Sequence, residues 1–89
     1  MSATAQSKIL IVEDESIVAL DIRRRVEKLG YRVTGMAVRA QQAMALIESE
    51  LPDIVLMDIQ LNDAIDGIDV ANAINEKYRL PIIFITAYS

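Results

Sequence analysis

The sequence contains neither cysteine nor histidine. Without cysteine it can form no disulfide and no thiolate metal site, and it is compatible with a reducing compartment. Without histidine it lacks the most common general base and the most common ligand of transition metals. The sequence therefore offers neither a thiolate nor an imidazole to a catalytic or metal site.

Long apolar runs and basic stretches are also missing. No apolar run approaches the roughly 20 residues of a membrane span, and "MSATAQSK" lacks the apolar core of a signal peptide, so we expect a cytoplasmic protein without a membrane partner. The net charge is −4, and the one basic cluster, 23–25, stands beside Asp21 and Glu27. That pattern indicates a solvated helix face rather than a nucleic-acid surface, so no nucleic-acid partner is expected.

Glycine and proline are scarce, with three and two residues, while 53% of the chain is hydrophobic. This composition favours a folded domain over disorder. A length of 89 residues allows one domain. We expect residues 1–7, which are small and polar, to form a disordered tail, and residues 8–89 to form the domain.

Short apolar segments alternate with amphipathic ones along the domain. Strands are predicted in "KILIVED", "YRVTGMAV", "DIVLMD" and "IIFIT", and helices in "SIVALDIRRRVEKLG", "AQQAMALIESE" and "GIDVANAINEKY". Strands that are apolar on both faces and alternate with helices are typical of a parallel sheet covered on both sides. The order β-α-β-α-β-α-β therefore predicts an open α/β fold.

The first helix shows the 3.6-residue period most clearly. Its predicted buried stripe consists of Val18, Ile22, Val26 and Leu29. Ser16 is the predicted N-cap, and Gly30 stands where a glycine would end the helix.

Polar residues follow three of the predicted strands. Glu13 and Asp14 follow the first strand, Asp58 ends the third, and Thr86 ends the fourth. Right-handed crossovers bring these strand ends to one edge of the sheet, and Asp14 converges with Asp58 if the first and third strands are neighbours. Such residues are also common caps and turn formers, but three on one edge favour a site. Clustered carboxylates suit Mg²⁺ or Mn²⁺, and this combination predicts phosphoryl-transfer chemistry.

Four segments, "ILIVEDE", "DIVLMDIQL", "DGIDVANAI" and "PIIFITAYS", follow one another at characteristic spacing. Together they resemble the response-regulator receiver domain of two-component systems over residues 8–89. The resemblance implies a flavodoxin-like sheet with strand order 2-1-3-4. It implies a phosphoacceptor module that receives a phosphoryl group from a sensor histidine kinase or a phosphotransfer protein. Such a module catalyses at most its own phosphorylation and dephosphorylation, so it is not an enzyme acting on an external substrate.

The resemblance also assigns a metal site and an acceptor. Asp58 matches the phosphoacceptor and one of the Mg²⁺ ligands. Asp14 matches a direct Mg²⁺ ligand, and Glu13 matches a ligand that acts through water. The backbone carbonyl of Gln60 would complete the protein ligands of the ion.

Two further residues are implied beside the phosphoryl group. Thr86 matches the switch hydroxyl that turns toward the phosphoryl oxygens, and Ala87 matches the small neighbour that leaves it room. The segment "IQLNDAIDG" departs from the family because it is one residue longer and lacks the usual proline, so donor recognition could differ.

The family pattern continues beyond Ser89 with a helix, a strand and a helix, and that strand carries a lysine that pairs with the phosphoryl group. The present lysines, Lys8, Lys28 and Lys77, are expected at the opposite edge of the sheet. We also expect the wholly apolar fourth strand to form an exposed edge. An isolated 89-residue chain is therefore not expected to remain a monomer. It should form a homo-oligomer through that strand, exchange elements with a second copy, or be the ordered part of a longer chain.

Two other functions fit parts of the same pattern. The first is a degenerate receiver-fold module that binds proteins without a phosphorylation-dependent switch. The second is a carboxylate-based Mg²⁺ phosphohydrolase, which is disfavoured because the acid/base aspartate two residues after the nucleophile of such enzymes is here Gln60.

Overall fold

A computed structural model describes residues 6–59 and 67–85. Strands and helices alternate along the described residues, as the sequence predicts. The strands are β1 (Lys8–Val12), β2 (Arg32–Ala37), β3 (Ile54–Asp58) and β4 (Ile82–Ile85), and the helices are α1 (Ser16–Lys28), α2 (Ala40–Ser49) and α3 (Gly67–Tyr78).

The four strands form one parallel sheet in the order β2-β1-β3-β4. β1 and β3 are therefore neighbours at the centre, which confirms the predicted strand order and open α/β fold. Val12 of β1 pairs with Met57 of β3, so Glu13, which follows β1, and Asp58, which ends β3, come to the same edge of the sheet.

Alternate residues of the central strands point to opposite faces of the sheet. Leu10 and Val12 are fully buried with the core residues of α2 and α3, whereas Ile9 and Ile11 are buried with Ala19 of α1. One helix thus covers one face and two helices cover the other. This arrangement is the physical reason why β1 and β3 are apolar at nearly every position.

α1 ends in the way that the sequence predicts but begins and packs differently. Gly30 has φ 101°, its N–H bonds to the carbonyl of Glu27, and the Tyr31 N–H bonds to that of Val26, as in a Schellman motif. Ser16 is the first helical residue rather than the N-cap.

Leu29 departs from the predicted buried stripe of α1 because it lies in the turn that closes the helix. It is 75% exposed, whereas Ile22 and Val26 pack partly buried against the α1 side of the sheet.

β2 contains a β-bulge at Thr34. Ile9 pairs with Val33 and Leu10 pairs with Gly35, so Thr34 is an extra residue in β2. The extra residue shifts by one position which side chains of β2 point to which face of the sheet. Val33 and Met36, which are three residues apart, consequently both pack toward α1.

At the N-terminal edge of the sheet, the side chain of Gln6 donates to the Gly30 carbonyl (3.0 Å), and the Ser7 carbonyl accepts from the N–H of Arg32 (2.9 Å). Residues 1–5 of the predicted tail lie outside the described residues. None of the described helices has the length and apolar character needed to cross a membrane.

Candidate functional site

Three carboxylates meet at the C-terminal ends of β1 and β3. Oxygen atoms of Glu13, Asp14 and Asp58, one from each residue, all lie within 4.8 Å of one another. Glu13 is fully buried, Asp58 is 5% exposed, and Asp14 is half-buried. The fold thus concentrates three acidic groups at one edge of the sheet, and Asp14 is the most exposed of the three.

Glu13 is the most perturbed member of this acidic cluster. Its Oε2 accepts the N–H of Glu15 (3.1 Å), while its Oε1 is buried without a hydrogen-bond partner among the described residues. Burial raises the pKa of Glu13 to about 7, with contributions from Asp14 and the nearby charge of Asp58, against the lowering effect of the Glu15 N–H. Its carboxyl group therefore titrates near neutral pH.

The cluster fits a small divalent cation. All its ligand atoms are carboxylate oxygens, which suit hard ions such as Mg²⁺, and neither nitrogen nor sulfur ligands are present. The unpartnered Oε1 of Glu13 is a buried polar atom that a cation or its bound water would satisfy. A positive charge here would also relieve the repulsion among the carboxylates.

The backbone just after Asp58 is held from two sides. The Ile59 N–H donates to the carbonyl of Ile85 (3.2 Å), and the Ile59 carbonyl accepts from the N–H of Gly67 (2.9 Å). Ile59 therefore links the end of β3 to the end of β4 and to the first residue of α3.

The structure brings together three of the predicted site residues, Glu13, Asp14 and Asp58. The other three, Gln60, Thr86 and Ala87, lie outside the described residues.

The lysines follow the predicted placement, because Lys8 begins β1 and Lys28 ends α1. The Nζ of Lys8 lies 3.7 Å from the Oε2 of Glu50, the C-cap of α2. The Nζ of Lys77 lies 3.0 Å from the Oε2 of Glu48, within α2.

Sequence reasoning did not identify Gly67 as part of the site region. An added Cβ at Gly67 would overlap the Asp58 carbonyl oxygen and lie 2.7 Å from the Ile59 carbonyl oxygen. A buried glycine at a helix start is the available signal, but only the tertiary packing shows which backbone it approaches.

Comparisons with known proteins agree on one family for this chain. A response regulator receiver domain model matches residues 9–89. Among curated proteins, the phyllosphere-induced regulator PhyR of Methylorubrum extorquens is 40% identical over 89 residues, covering 99% of this chain and 33% of PhyR. The transcriptional regulatory protein PdtaR of Mycobacterium tuberculosis is 37% identical over 87 residues, covering 98% of this chain and 42% of PdtaR. The chain thus spans less than half the length of these relatives.

Solved structures show the same likeness. The crystal structure of PhyR from Brucella abortus matches with a TM-score of 0.86 and 45% identity, over 94% of this chain and 35% of that one. The solution structure of the receiver domain of PhyR from Erythrobacter litoralis matches with a TM-score of 0.86 and 38% identity, over 94% of this chain and 65% of that one. With its parallel sheet and its acidic cluster, the chain belongs to the response regulator receiver domain family.

Proposed function

We propose that the chain is a phosphoacceptor module of a two-component phosphorelay, in which Asp58 receives a phosphoryl group from a sensor histidine kinase or a phosphotransfer protein. The observation that carries this proposal is the cluster of Glu13, Asp14 and Asp58 within 4.8 Å at the edge where two central strands end. The family of the chain supports it. We also propose that the transfer takes place in the cytoplasm, because a chain without cysteine is compatible with a reducing compartment.

Asp58 is the best-placed nucleophile of the three carboxylates. It is the last residue of β3, where it pairs with Ile85 of β4 and directly follows Met57, which pairs with Val12 of β1. In the transfer, a carboxylate oxygen of Asp58 forms a bond to phosphorus while the bond from phosphorus to the donor nitrogen breaks, and the donor nitrogen keeps the electron pair. The product is an acyl phosphate.

Glu13 and Asp14 would hold Mg²⁺ together with Asp58. The bound ion would offset the negative charge of the acidic cluster and of the incoming phosphoryl oxygens. The burial of Glu13 keeps this part of the site away from bulk water, which strengthens the electrostatic interactions inside it. In this proposal Thr86 and Ala87 border the phosphoryl group, and the Gln60 carbonyl completes the metal ligands.

The test is phosphorylation of the chain by a small acyl or carbamoyl phosphate donor in the presence of Mg²⁺. Asp58→Asn should abolish the base-labile, acid-stable label expected of an acyl phosphate. Asp53→Asn is the matched control, because Asp53 stands just before the other end of β3 and an amide oxygen can still accept the N–H of Lys8. Label that persists in Asp58→Asn would exclude Asp58 as the acceptor, whereas label that disappears equally in Asp53→Asn would show that the loss is not specific to Asp58.

A second candidate is a receiver-fold module that binds a protein partner without phosphorylation-dependent switching. The observation that favours it comes from a relative that has been crystallised with a protein partner. PhyR from Bartonella quintana, 40% identical, has been crystallised in complex with the anti-sigma factor NepR, and this chain covers 35% of that PhyR. A titration with Mg²⁺ separates the two candidates, because only the phosphoacceptor requires binding at Asp14 and Asp58.

A further inference from the structure

The start of α3 lies directly against the backbone that carries Asp58. The N–H of Gly67 donates to the Ile59 carbonyl at 2.9 Å. A Cβ built on Gly67 would overlap the Asp58 carbonyl oxygen and would lie 2.9 Å from the Ile59 Cα. These neighbours are backbone atoms, so no side-chain rotation can make room for a methyl group.

The sheet-facing side of α3 prevents the helix from simply moving away. Val70 and Ile74, one and two turns after Gly67, are 2% and 0% exposed in the core beneath the sheet. Lifting α3 would open this closely packed core. An added methyl group at Gly67 must therefore displace the backbone of Asp58 and Ile59, where the strand is ending.

A displacement of the backbone at Asp58 and Ile59 would directly change the acidic cluster. The Asp58 carboxylate is one of the three groups that meet within 4.8 Å, and Glu13 and Asp14 are attached to a different strand, β1. A shift of the Asp58 backbone thus changes the spacing between carboxylates on two strands. Ile59 also donates to the Ile85 carbonyl, so the same shift strains the contact with β4.

Building on the proposed function, we infer that Gly67 is a positioning residue for the carboxylate site. Its missing side chain lets α3 press against the Asp58–Ile59 backbone and thereby sets the distance between Asp58 and the pair Glu13 and Asp14. Gly67 touches neither a cation nor a phosphoryl group in this role. It acts through the backbone of Asp58.

The experiment compares Gly67→Ala with two variants of the 89-residue chain. Gly35→Ala controls for the loss of a glycine, because the atoms nearest to its new methyl group belong to the flexible Leu46 side chain, at 3.1 Å. Ile74→Val controls for a loosened α3. Mg²⁺ affinity is measured by calorimetry on variants whose circular dichroism shows a folded chain. Gly67→Ala should weaken Mg²⁺ binding by about 10- to 100-fold, the usual effect of losing support behind a metal ligand, and the controls should remain near wild type.

A measurement on the wild-type chain covers the case in which Gly67→Ala does not fold. If Gly67 positions Asp58, then by linkage Mg²⁺ binding must in turn stabilise the contact at Gly67. Hydrogen exchange should then slow more at the Gly67 amide than at the Asn75 amide, which lies further along the same helix.

The possible results separate this inference from the proposed function. Wild-type chain that binds no Mg²⁺ overturns both. Wild-type chain that binds Mg²⁺, with equal affinity in folded Gly67→Ala or with equal protection of the Gly67 and Asn75 amides, overturns the positioning role alone. Phosphorylation of Asp58 that slows in Gly67→Ala and not in Ile74→Val supports both.

Discussion

The buried carboxyl group of Glu13 should make the stability of the metal-free chain depend on pH. Its pKa rises from 4.5 to about 7 in the folded state, because it is buried beside Asp14 and Asp58. A folded state with a raised pKa binds the proton more tightly than the unfolded chain does. The stabilising contribution is therefore complete below pH 4.5 and is lost as the pH rises through about 7.

The size of this effect follows from the shift. One pKa unit corresponds to about 1.4 kcal/mol, so the rise of the Glu13 pKa to about 7 corresponds to a loss of up to about 3 kcal/mol in the free energy of unfolding. Domains are typically stable by only about 5–15 kcal/mol, so a loss of this size is easily measured. Glu13→Gln replaces the carboxyl group by a neutral amide of the same shape and should remove this dependence.

The assay is urea unfolding followed by circular dichroism, at several pH values between about 5 and 8 and with a chelator present. The free energy of unfolding of wild type minus that of Glu13→Gln should fall between about pH 5 and 7 and should level off toward pH 8. Glu48→Gln is the matched control, because Glu48 is exposed and its pKa is lowered by Lys77 and Tyr78, so its titration is complete below this range. A wild-type minus Glu13→Gln difference that stays constant with pH would refute the reasoning from burial.

Three other outcomes follow from the packing. Ile74→Ala, at a fully buried position of α3, should lower the free energy of unfolding by about 2–5 kcal/mol in urea titrations, and a loss below about 1 kcal/mol would show that α3 packs loosely. Gly30→Ala should cost about 1–2 kcal/mol in the same assay, because φ at Gly30 is 101°; an unchanged midpoint would contradict the left-handed turn. Ile83 and Phe84 of the outer strand β4 are 50% and 41% exposed. Size exclusion with light scattering should therefore give the 89-residue chain a mass above the 9.9 kDa of its monomer, and Phe84→Lys should shift that mass toward the monomer. A clean wild-type monomer would contradict that expectation.

The topology and the meeting of the acidic residues could be predicted because they depend on patterns that survive in the sequence. Continuous apolar runs indicate strands covered on both faces, and right-handed crossovers then bring the ends of β1 and β3 to one edge. Resemblance supplied the order of the strands. The structure confirms that order and brings Glu13, Asp14 and Asp58 together.

The features that escaped prediction depend on contacts between distant segments. Nothing local distinguishes Thr34 as an extra residue in β2, because the bulge is defined by pairing with β1. Leu29 fits the helical period but falls in the closing turn, where it is exposed. The close approach of Gly67 to Asp58 similarly requires the packing of α3 on the sheet.

The bulge at Thr34 lets β2 stay paired with β1 on both sides of an extra residue. One extra residue inside a regular β2 would turn every later side chain of the strand to the opposite face of the sheet. The change would extend to Ala37 at the strand end, whose carbonyl accepts the N–H of Glu13 at 2.9 Å. By absorbing one residue ahead of Gly35, the bulge leaves Ala37 buried on the α2 side and in register with Val12. Removal of Thr34 would therefore exchange the faces of β2 only ahead of Gly35, while a one-residue change between Gly35 and Ala37 would directly move the backbone that supports Glu13.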